Sequence, residues 1–224
     1  MSENKISTPV NYGVSYTGAF KTVEGSTDHI PHGFGTLVYE NGDIYEGEFM
    51  DGRRHGRGKH TYKSGSVYEG EFMNGGRHGF GKLLCFNGDV YEGDFECDKY
   101  SGKGKYTAKN TYVYEGEFKD NQWCGRGKIV YNDGASYEGE YKNSKRNGQG
   151  VYTFVDSSTY DGNFKENLFH GQGILTYSNG ARFEGEFVNG KCHGKGKVIR
   201  KDGSQVEGEF VNERLNGITV SKLF

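Results

Sequence analysis

The sequence predicts an all-β protein, an elongated, twisted, single-layer antiparallel sheet built from tandem 23-residue β-hairpins. The first observation is a period: the pattern aromatic, acidic, glycine, acidic, aromatic returns every 23 residues, and a fixed period of 20–50 residues indicates a repeat architecture. The second is the alternation of apolar and polar side chains inside each repeat, which is typical of half-buried strands. The third is the content of 38 glycines, which excludes helices because each interior glycine costs a helix about 1 kcal/mol.

The repeats stay in register, without a gap, through most of the chain. We number the repeat from its first aromatic residue, so the first complete repeat runs from Tyr45 to Val67. The eight residues at position 1 are Tyr45, Tyr68, Tyr91, Tyr114, Tyr137, Tyr160, Phe183 and Val206. Glycine fills positions 3, 12 and 14 of every complete repeat, and we expect the Tyr and Phe rings of adjacent strands to lie flat over these positions.

Each repeat is predicted to form one hairpin. Aromatic residues at positions 1 and 5 alternate with acids at positions 2 and 4. The second half alternates glycine or apolar residues at positions 12, 14, 16 and 18 with mostly Lys, Arg or Gln at positions 13 and 15. This period of two predicts two antiparallel strands. The polar, glycine-containing segments at positions 6–11 and 19–22 are the predicted turns.

The register of the repeats also predicts how the chain divides into segments. They are a flexible N-terminal arm (1–15), a repeat array (16–217) with a degenerate first repeat (16–44), seven full repeats (45–205) and a partial last repeat from 206, and an apolar C-terminal tail or cap (218–224). The insertion Thr22–Pro31 in the first repeat is predicted to be a loop.

Composition limits what the chain does. The hydrophobic content of 33% and the mean hydropathy of −0.83 predict a thin aromatic core repeated along the array. The formal net charge of −2 gives no field that would attract nucleic acid. The chain has no apolar run near 18 residues, no signal-peptide stretch and no Cys-x-x-Cys spacing. We therefore expect a cytoplasmic protein without a zinc site or a disulfide framework.

The segment Tyr45-Glu46-Gly47-Glu48-Phe49, followed by Gly-x-x-His-Gly-x-Gly, resembles the MORN (membrane occupation and recognition nexus) repeat. The resemblance covers about 16–217 and implies a scaffold rather than a reaction. MORN-only proteins serve cytoskeletal assemblies, among them the radial-spoke heads of ciliary axonemes. The resemblance therefore implies a non-catalytic scaffold that binds partner proteins at the cytoskeleton, in a ciliary or flagellar axoneme. The alternative is a membrane- or phosphoinositide-associated targeting module, which the interspersed charges do not favour.

Three repeated columns resemble active-site chemistry but are better explained as structure. The histidines at position 11 are His55, His78, His170 and His193. Successive repeats lie about 10 Å apart in a sheet, so two of these rings cannot share a metal ion, and we assign them a local turn role. The acids at positions 2 and 4 form a surface ladder with the lysines at position 15. The Gly-x-Gly of positions 12–14 lacks the Lys-Ser/Thr of a phosphate loop. We therefore predict no catalytic residue, no cofactor and no metal.

Departures from the repeat pattern are the candidate partner-binding residues. Position 10 is arginine in three repeats and aromatic in three others, at Tyr100, Trp123 and Phe169. An aromatic ring at the tip of a turn has no core to fill, so we expect these rings to anchor a partner. Truncating Tyr100 and Trp123 would then leave thermal stability nearly unchanged. The alternative is that each ring folds back on its own hairpin.

Two other departures add candidates. Position 15 loses its lysine at Val151 and Ile174, and the acid column fails at Asn163, which together interrupt the charged face. The chain then finishes on four apolar residues, Ile218, Val220, Leu223 and Phe224. This tail either caps the last repeat or stays exposed. Because open sheet edges invite pairing, we expect an association surface for a neighbouring protein or a second copy, which leaves a homodimer through a terminal edge open.

Overall fold

A computed structural model describes residues 15–22, 25 and 29–220 of the protein. These residues form 19 strands and no α-helix, so the prediction of an all-β protein is confirmed. Within the same residues, no helix has the length and apolar character needed to cross a membrane. The chain divides into two compact bodies. The N-terminal body runs to Lys109 and includes Lys119–Asn121, and the C-terminal body comprises Asn110–Phe118 and the residues from Gln122 onward.

The N-terminal body is an antiparallel meander of eight strands. They are β1 Ser15–Thr22, β2 His29–Val38, β3 Ile44–Met50, β4 Arg53–Thr61, β5 Val67–Met73, β6 Gly76–Leu84, β7 Val90–Glu96 and β8 Lys99–Ala108. From β1 to β8, consecutive strands pair antiparallel with one another. Two strands per repeat in this order are what tandem hairpins require.

The C-terminal body continues the same pattern. Its strands are β9 Tyr112–Lys119, β10 Gln122–Tyr131, β11 Ser136–Lys142, β12 Lys145–Thr153, β13 Thr159–Lys165, β14 Leu168–Thr176, β15 Arg182–Val188, β16 Lys191–Ile199, β17 Gln205–Phe210, β18 Arg214–Leu215 and β19 Ile218–Thr219. Strands β10 to β17 pair antiparallel in sequence. The short strands β18 and β19 form a separate two-stranded hairpin.

The first turn of each repeat is shorter than predicted. Only positions 7 and 8 adopt the left-handed conformation, as at Asp51 (φ 49°) and Gly52 (φ 80°), and the second strand begins at position 9. Two consecutive residues with positive φ are typical of a type I′ hairpin turn, whose twist matches the flanking strands. The prediction that positions 6–11 form a turn is therefore wrong for position 6, which ends the first strand, and for positions 9–11. The second turn lies at positions 19–22 as predicted, closed in one repeat by hydrogen bonds of 2.9 Å between Tyr62 and Ser66 and between Gly65 and Tyr62.

The insertion in the first repeat, predicted to be a loop, is strand at both of its ends, at Thr22 and at 29–31, while residues 23, 24 and 26–28 lie outside the described residues. β1 extends to Thr22, β2 begins at His29, and these two residues are paired. The carbonyl of Pro31 accepts a 2.9 Å hydrogen bond from the amide of Gly52 in the next repeat. Backbone pairing thus satisfies polar groups that a loop would have left to solvent.

The predicted packing of rings over glycine is confirmed for two of the three glycine columns. The hydroxyl of Tyr45 donates a 2.9 Å hydrogen bond to the carbonyl of Glu48, which holds the ring across Gly47 and Gly58. A Cβ atom added to Gly58 would lie 2.6 Å from the Cε2 atom of this ring. The prediction is wrong for position 12, because Gly56 has a φ of 59° and faces a carboxylate instead of a ring. Position 12 is glycine because the chain forms a left-handed bulge there.

The rings form a continuous edge-to-face row in each body. Tyr45 contacts Phe49 of its own repeat at a centroid distance of 5.1 Å and Phe72 of the next repeat at 5.0 Å, with interplanar angles of 89° and 82°. Tyr68 repeats the pattern with Phe72. Each such contact is worth about 0.5–1.5 kcal/mol beyond burial. One row of rings is therefore the core of each body, and within a body it couples neighbouring repeats.

Candidate functional site

The strands present two chemically different faces. In β3, the residues Tyr45, Gly47 and Phe49 are buried while Glu46 and Glu48 are exposed. We call the side that carries positions 1, 3, 5, 10, 14 and 16 the ring face, and the side that carries positions 2, 4, 13, 15 and 17 the charged face. The candidate residues from the sequence fall on both.

The aromatic residues at position 10 lie on the ring face, inside strands rather than at turn tips. Each ring stacks on the position-1 tyrosine of its own repeat. The pairs and centroid distances are Tyr100 with Tyr91 at 3.8 Å, Trp123 with Tyr114 at 4.2 Å, and Phe169 with Tyr160 at 3.8 Å. The predicted turn-tip placement is wrong, and the alternative that each ring folds back on its own hairpin is confirmed. The rings remain half-buried, so their role as partner anchors stays a prediction.

Arginine takes the same place in three of the four complete repeats without a position-10 ring, and Cys192 stands in the fourth. The guanidinium carbon of Arg77 lies 5.7 Å from the ring centroid of Tyr68 and 5.3 Å from that of Phe95. Arg146 lies 5.7 Å from the centroid of Tyr137. A cation over an aromatic face is attracted by the ring quadrupole, so arginine and an aromatic ring are two ways to cover the tyrosine at position 1.

The acids at position 4 have a local role that the ladder interpretation missed. Their carboxylates accept a hydrogen bond from the amide of position 13. The pairs are Glu48 with Arg57 at 2.9 Å, Glu71 with Phe80 at 3.4 Å, Asp94 with Lys103 at 3.0 Å, Glu117 with Arg126 at 2.9 Å, and Glu140 with Gln149 at 3.2 Å. Each bond closes the bulge made by the glycine at position 12. Asn163 substitutes in one repeat and donates to the carbonyl of Gln172.

The acids at position 2 do form the predicted ladder with lysine. Three of the five lysines at position 15 form an ion pair with the position-2 acid of the following repeat. The nitrogen–oxygen distances are 3.3 Å for Lys82 with Glu92, 3.0 Å for Lys128 with Glu138, and 3.7 Å for Lys197 with Glu207. These pairs are exposed and contribute about 0.2–1 kcal/mol each.

The ladder is interrupted where the sequence indicated. Val151 and Ile174 lie on the charged face with 39% and 41% of their surface exposed. Both pair in register with Asp161, which makes no ion pair with any residue that the structure describes. The interruption is therefore an exposed apolar patch around one carboxylate. Partner binding at this patch stays a prediction.

Sequence reasoning missed the two most prominent apolar residues of the charged face. Phe34 and Phe80 are 67% and 54% exposed, and both line one open groove whose floor includes Gly58 and Gly70. Arg57 stands between them in the same column. The signal was available, because both phenylalanines occupy position 13, where the other complete repeats have Lys, Arg or Gln. Exposed rings beside polar groups are typical of protein contact sites.

One histidine is buried in the N-terminal body. The ring of His60 is 4% exposed and stacks on Tyr62 at 4.2 Å. Arg54 donates to its Nδ1 atom at 2.5 Å, and since guanidinium has no acceptor, the proton of the neutral ring lies on Nε2. Nε2 is 3.4 Å from Oδ2 of Asp43. Burial, and next the positive charge of Arg54, lower the pKa of His60 below its usual value.

This lowered pKa predicts a specific pH dependence. In the unfolded chain the ring protonates near pH 6.5, whereas in the fold it stays neutral to lower pH. The unfolded state therefore binds more protons as the pH falls from about 7 to 5, and the free energy of unfolding decreases. The equivalent residues of two other repeats are Leu37 and Leu83, so leucine fits this position. We therefore expect His60→Leu to abolish this decrease in the free energy of unfolding. Urea denaturation at pH 7 and pH 5 measures the free energy of unfolding of both proteins. An equal decrease in the variant would contradict the assignment of this pH dependence to His60.

The position-11 histidines also lie in strands instead of turns, so the predicted turn role is wrong. The Nδ1 atoms of His55 and His170 are buried without a hydrogen-bond partner in the part of the chain that the structure describes. Across those same residues, no group of three or more His, Cys, Asp or Glu side chains is arranged to hold a metal ion.

The C-terminal tail is described only to Val220, so Leu223 and Phe224 lie outside the described residues. Val220 is 3% exposed, and its amide donates to the carbonyl of Glu213 at 2.7 Å. The side chain of Leu215 covers Gly208, because position 1 of the last repeat is Val206 and has no ring to cover this glycine. This part of the tail therefore folds back as a cap, although Ile218 remains 49% exposed. Association at this end stays a prediction.

Comparison with known proteins finds one matching family. The model of the MORN repeat matches eight tandem segments, 27–44, 45–67, 68–90, 91–110, 114–136, 137–159, 160–182 and 183–205. No curated protein matches the sequence. The boundaries from residue 45 to 90 and from 114 to 205 coincide with the 23-residue repeats.

Solved structures are similar to this chain at a low level only. The TCP domain of Drosophila melanogaster SAS-4 (dCPAP), in complex with a proline-rich motif of Ana2 (dSTIL), has a TM-score of 0.44 and 11% identity over 79% of this chain and 90% of that chain. The wild-type TCP10 domain of Danio rerio CPAP has a TM-score of 0.39 and 12% identity over 79% and 89%. Likeness at this level carries no inference about function.

Proposed function

This chain belongs to the MORN repeat family, and from that premise we propose that it is a non-catalytic scaffold that binds partner proteins. MORN repeats are protein-binding or membrane-binding modules. One observation supports the protein-binding role: the ring face is filled by the array's own side chains, while the charged face leaves Phe34 and Phe80 exposed beside polar groups. Apolar rings within a polar surround are the usual anchors of a protein interface.

The membrane alternative has weaker support. Three of the position-15 lysines, which would otherwise attract anionic lipid, are held in ion pairs, as Lys82 is with Glu92 at 3.3 Å and Lys128 with Glu138 at 3.0 Å. A surface of alternating charges gives little attraction to a negative bilayer. We therefore favour protein partners.

We place this scaffold in a cytoskeletal assembly, with a ciliary or flagellar axoneme and a radial-spoke-like position as the leading context. The support is the repeat content itself, since arrays of MORN repeats serve such assemblies and the matched segments fill 27–110 and 114–205. Further candidate contacts are the apolar patch at Val151 and Ile174 and the half-exposed edges of the position-10 rings.

The proposal predicts which surface a partner needs. Crosslinking pull-down from the native cell identifies the partner, and the affinity of the purified pair is then measured. We expect Phe34→Ser with Phe80→Ser to weaken this binding by about 2 kcal/mol or more, because two anchor rings are lost. The matched control is Phe86→Ser, which removes a ring that is 75% exposed but lies in a turn. Equal affinity in the double variant and the control would reject this surface, and capture of no protein would reject the scaffold.

A further inference from the structure

Within the part of the chain that the structure describes, strand β17 is paired along one edge only. It pairs with β16 from Gly194 and Phe210 to Ile199 and Gln205. In an interior hairpin, the second strand of the same repeat covers the other edge, as β4 covers β3. Among the residues 15–220 that the structure describes, no strand takes this place beside β17, and one isolated bridge joins Val211 to Arg214.

The edge is open because the chain turns away. At Asn216 and Gly217, both with positive φ, the backbone reverses, and Arg214 and Leu215 pair with Thr219 and Ile218. The amide of Val220 likewise donates a hydrogen bond to the carbonyl of Glu213. Thr219 stands at position 14, where every complete repeat has the glycine that fits under its neighbour. The segment that would have covered β17 is therefore engaged in the cap.

The open edge presents side chains that lack their usual complement. Glu209 is at position 4, yet it has no amide from position 13 to accept, unlike Glu48 with Arg57. Its neighbour Glu207 keeps 69% of its side chain exposed and has one cation, Lys197, at 3.7 Å. Val206 is half-buried, whereas the other position-1 residues are fully buried. The carboxylates of Glu207 and Glu209 and the side chain of Val206 thus lack the contacts that a neighbouring strand would supply.

The interior of the array shows which strand fits such an edge. Beside β3, Gly58 lies opposite Gly47 and Lys59 lies opposite Glu46, while the amide of Arg57 binds Glu48. A glycine at the centre admits close approach, and basic residues on either side of it meet the two acids. The edge of β17 therefore has the charge and shape for one chemical class of strand.

A second copy of β17 is a poor occupant. An antiparallel pair centred on Gly208 would place Glu207 of each copy opposite Glu209 of the other, and like charges directly opposite are destabilising. Exposed edges nevertheless attract strands, since their backbone donors and acceptors are unsatisfied.

We propose that β17 binds an extended segment of a partner protein as an added antiparallel strand, and that this segment carries basic residues flanking a glycine. This inference rests on the proposed scaffold function and names the chemistry of its partner. The array supplies matched probes. The peptide of residues 125–131 (Gly-Arg-Gly-Lys-Ile-Val-Tyr) has the basic pattern, and that of residues 171–177 (Gly-Gln-Gly-Ile-Leu-Thr-Tyr) has the same glycines without a cation.

The test measures fluorescence anisotropy of both labelled peptides against the full chain. We expect the basic peptide to bind at least 10-fold more tightly. Glu207→Gln with Glu209→Gln should reduce this preference to less than 2-fold. The control Glu115→Gln with Glu138→Gln removes two exposed acids from other strands and should leave the preference intact. Circular dichroism confirms that both variants fold.

Three results would overturn the inference. They are equal affinity for the two peptides, a dimer of the chain that dissociates when Glu207 and Glu209 are replaced, and binding that appears only after residues 221–224 are deleted, which would make the tail the natural occupant. A pull-down partner that the Glu207 and Glu209 variant still captures would leave the scaffold function standing while this inference fails. If the peptide preference is observed but the pull-down captures no partner, the inference about β17 stands while the scaffold function fails.

Discussion

Replacing Gly139 with alanine should lower the free energy of unfolding by about 3 kcal/mol, at the upper end of the range for overpacking a close-packed interior. A Cβ atom at this position would lie 2.5 Å from the Cα atom of Gly150 and 2.6 Å from the carbonyl oxygen of Gln149. Both are backbone atoms of the paired strand, so no side-chain rotation relieves the contact. The hydroxyl of Tyr137, also 2.5 Å away, is fixed by its hydrogen bond to Glu140.

The same body offers a matched control for this substitution. Gly134 has no atom within 4 Å of an added Cβ, but its φ is 94°. Gly134→Ala therefore tests backbone strain without a clash and should cost about 1–2 kcal/mol. Guanidinium denaturation followed by circular dichroism compares the two variants. If Gly139→Ala were no more destabilised than Gly134→Ala, the close approach of strands under the tyrosine would not be the reason for glycine.

The sequence predicts this core well because its signals are local. The period places a tyrosine two residues before one glycine column, and strand alternation puts both on the same face. The hairpin pairing then brings the second glycine column, such as Gly150 opposite Gly139, under the same ring. No information about distant parts of the chain is needed.

The turns were harder to predict because residue type does not determine them here. Cys97 and Glu166 adopt left-handed φ values of 48° and 51°, although neither is a typical residue for that conformation. Composition therefore spread the predicted turn over six positions, while the hairpin uses two. That error placed the position-10 rings at a tip. The register shift between Gly139 and Tyr141, which brings Arg146 opposite Tyr141, also depends on the bulge and is invisible to alternation alone.

Because Trp123 stacks inside its own hairpin, we expect its truncation to lower stability, whereas a ring at a turn tip would have left stability unchanged. Its ring lies 4.2 Å from that of Tyr114 at an interplanar angle of 5°, and it contacts Tyr141 edge-to-face at 5.6 Å. Complete loss of a buried tryptophan costs about 3–5 kcal/mol. Because this ring is half-buried, we expect Trp123→Ala to lower the free energy of unfolding by about 2 kcal/mol.

The array itself supplies the variant that separates packing from binding. Arg146 covers Tyr137 from the same repeat position, with 5.7 Å between the guanidinium carbon and the ring centroid. Trp123→Arg should therefore recover at least half of the stability lost in Trp123→Ala, because the cation packs on the face of Tyr114. Unfolding is followed by circular dichroism, since Trp123 is the single tryptophan of the chain. If the arginine variant is stable yet binds the captured partner as weakly as the alanine variant, the ring is a partner anchor. If the alanine variant is as stable as the natural protein, the stacked arrangement is wrong.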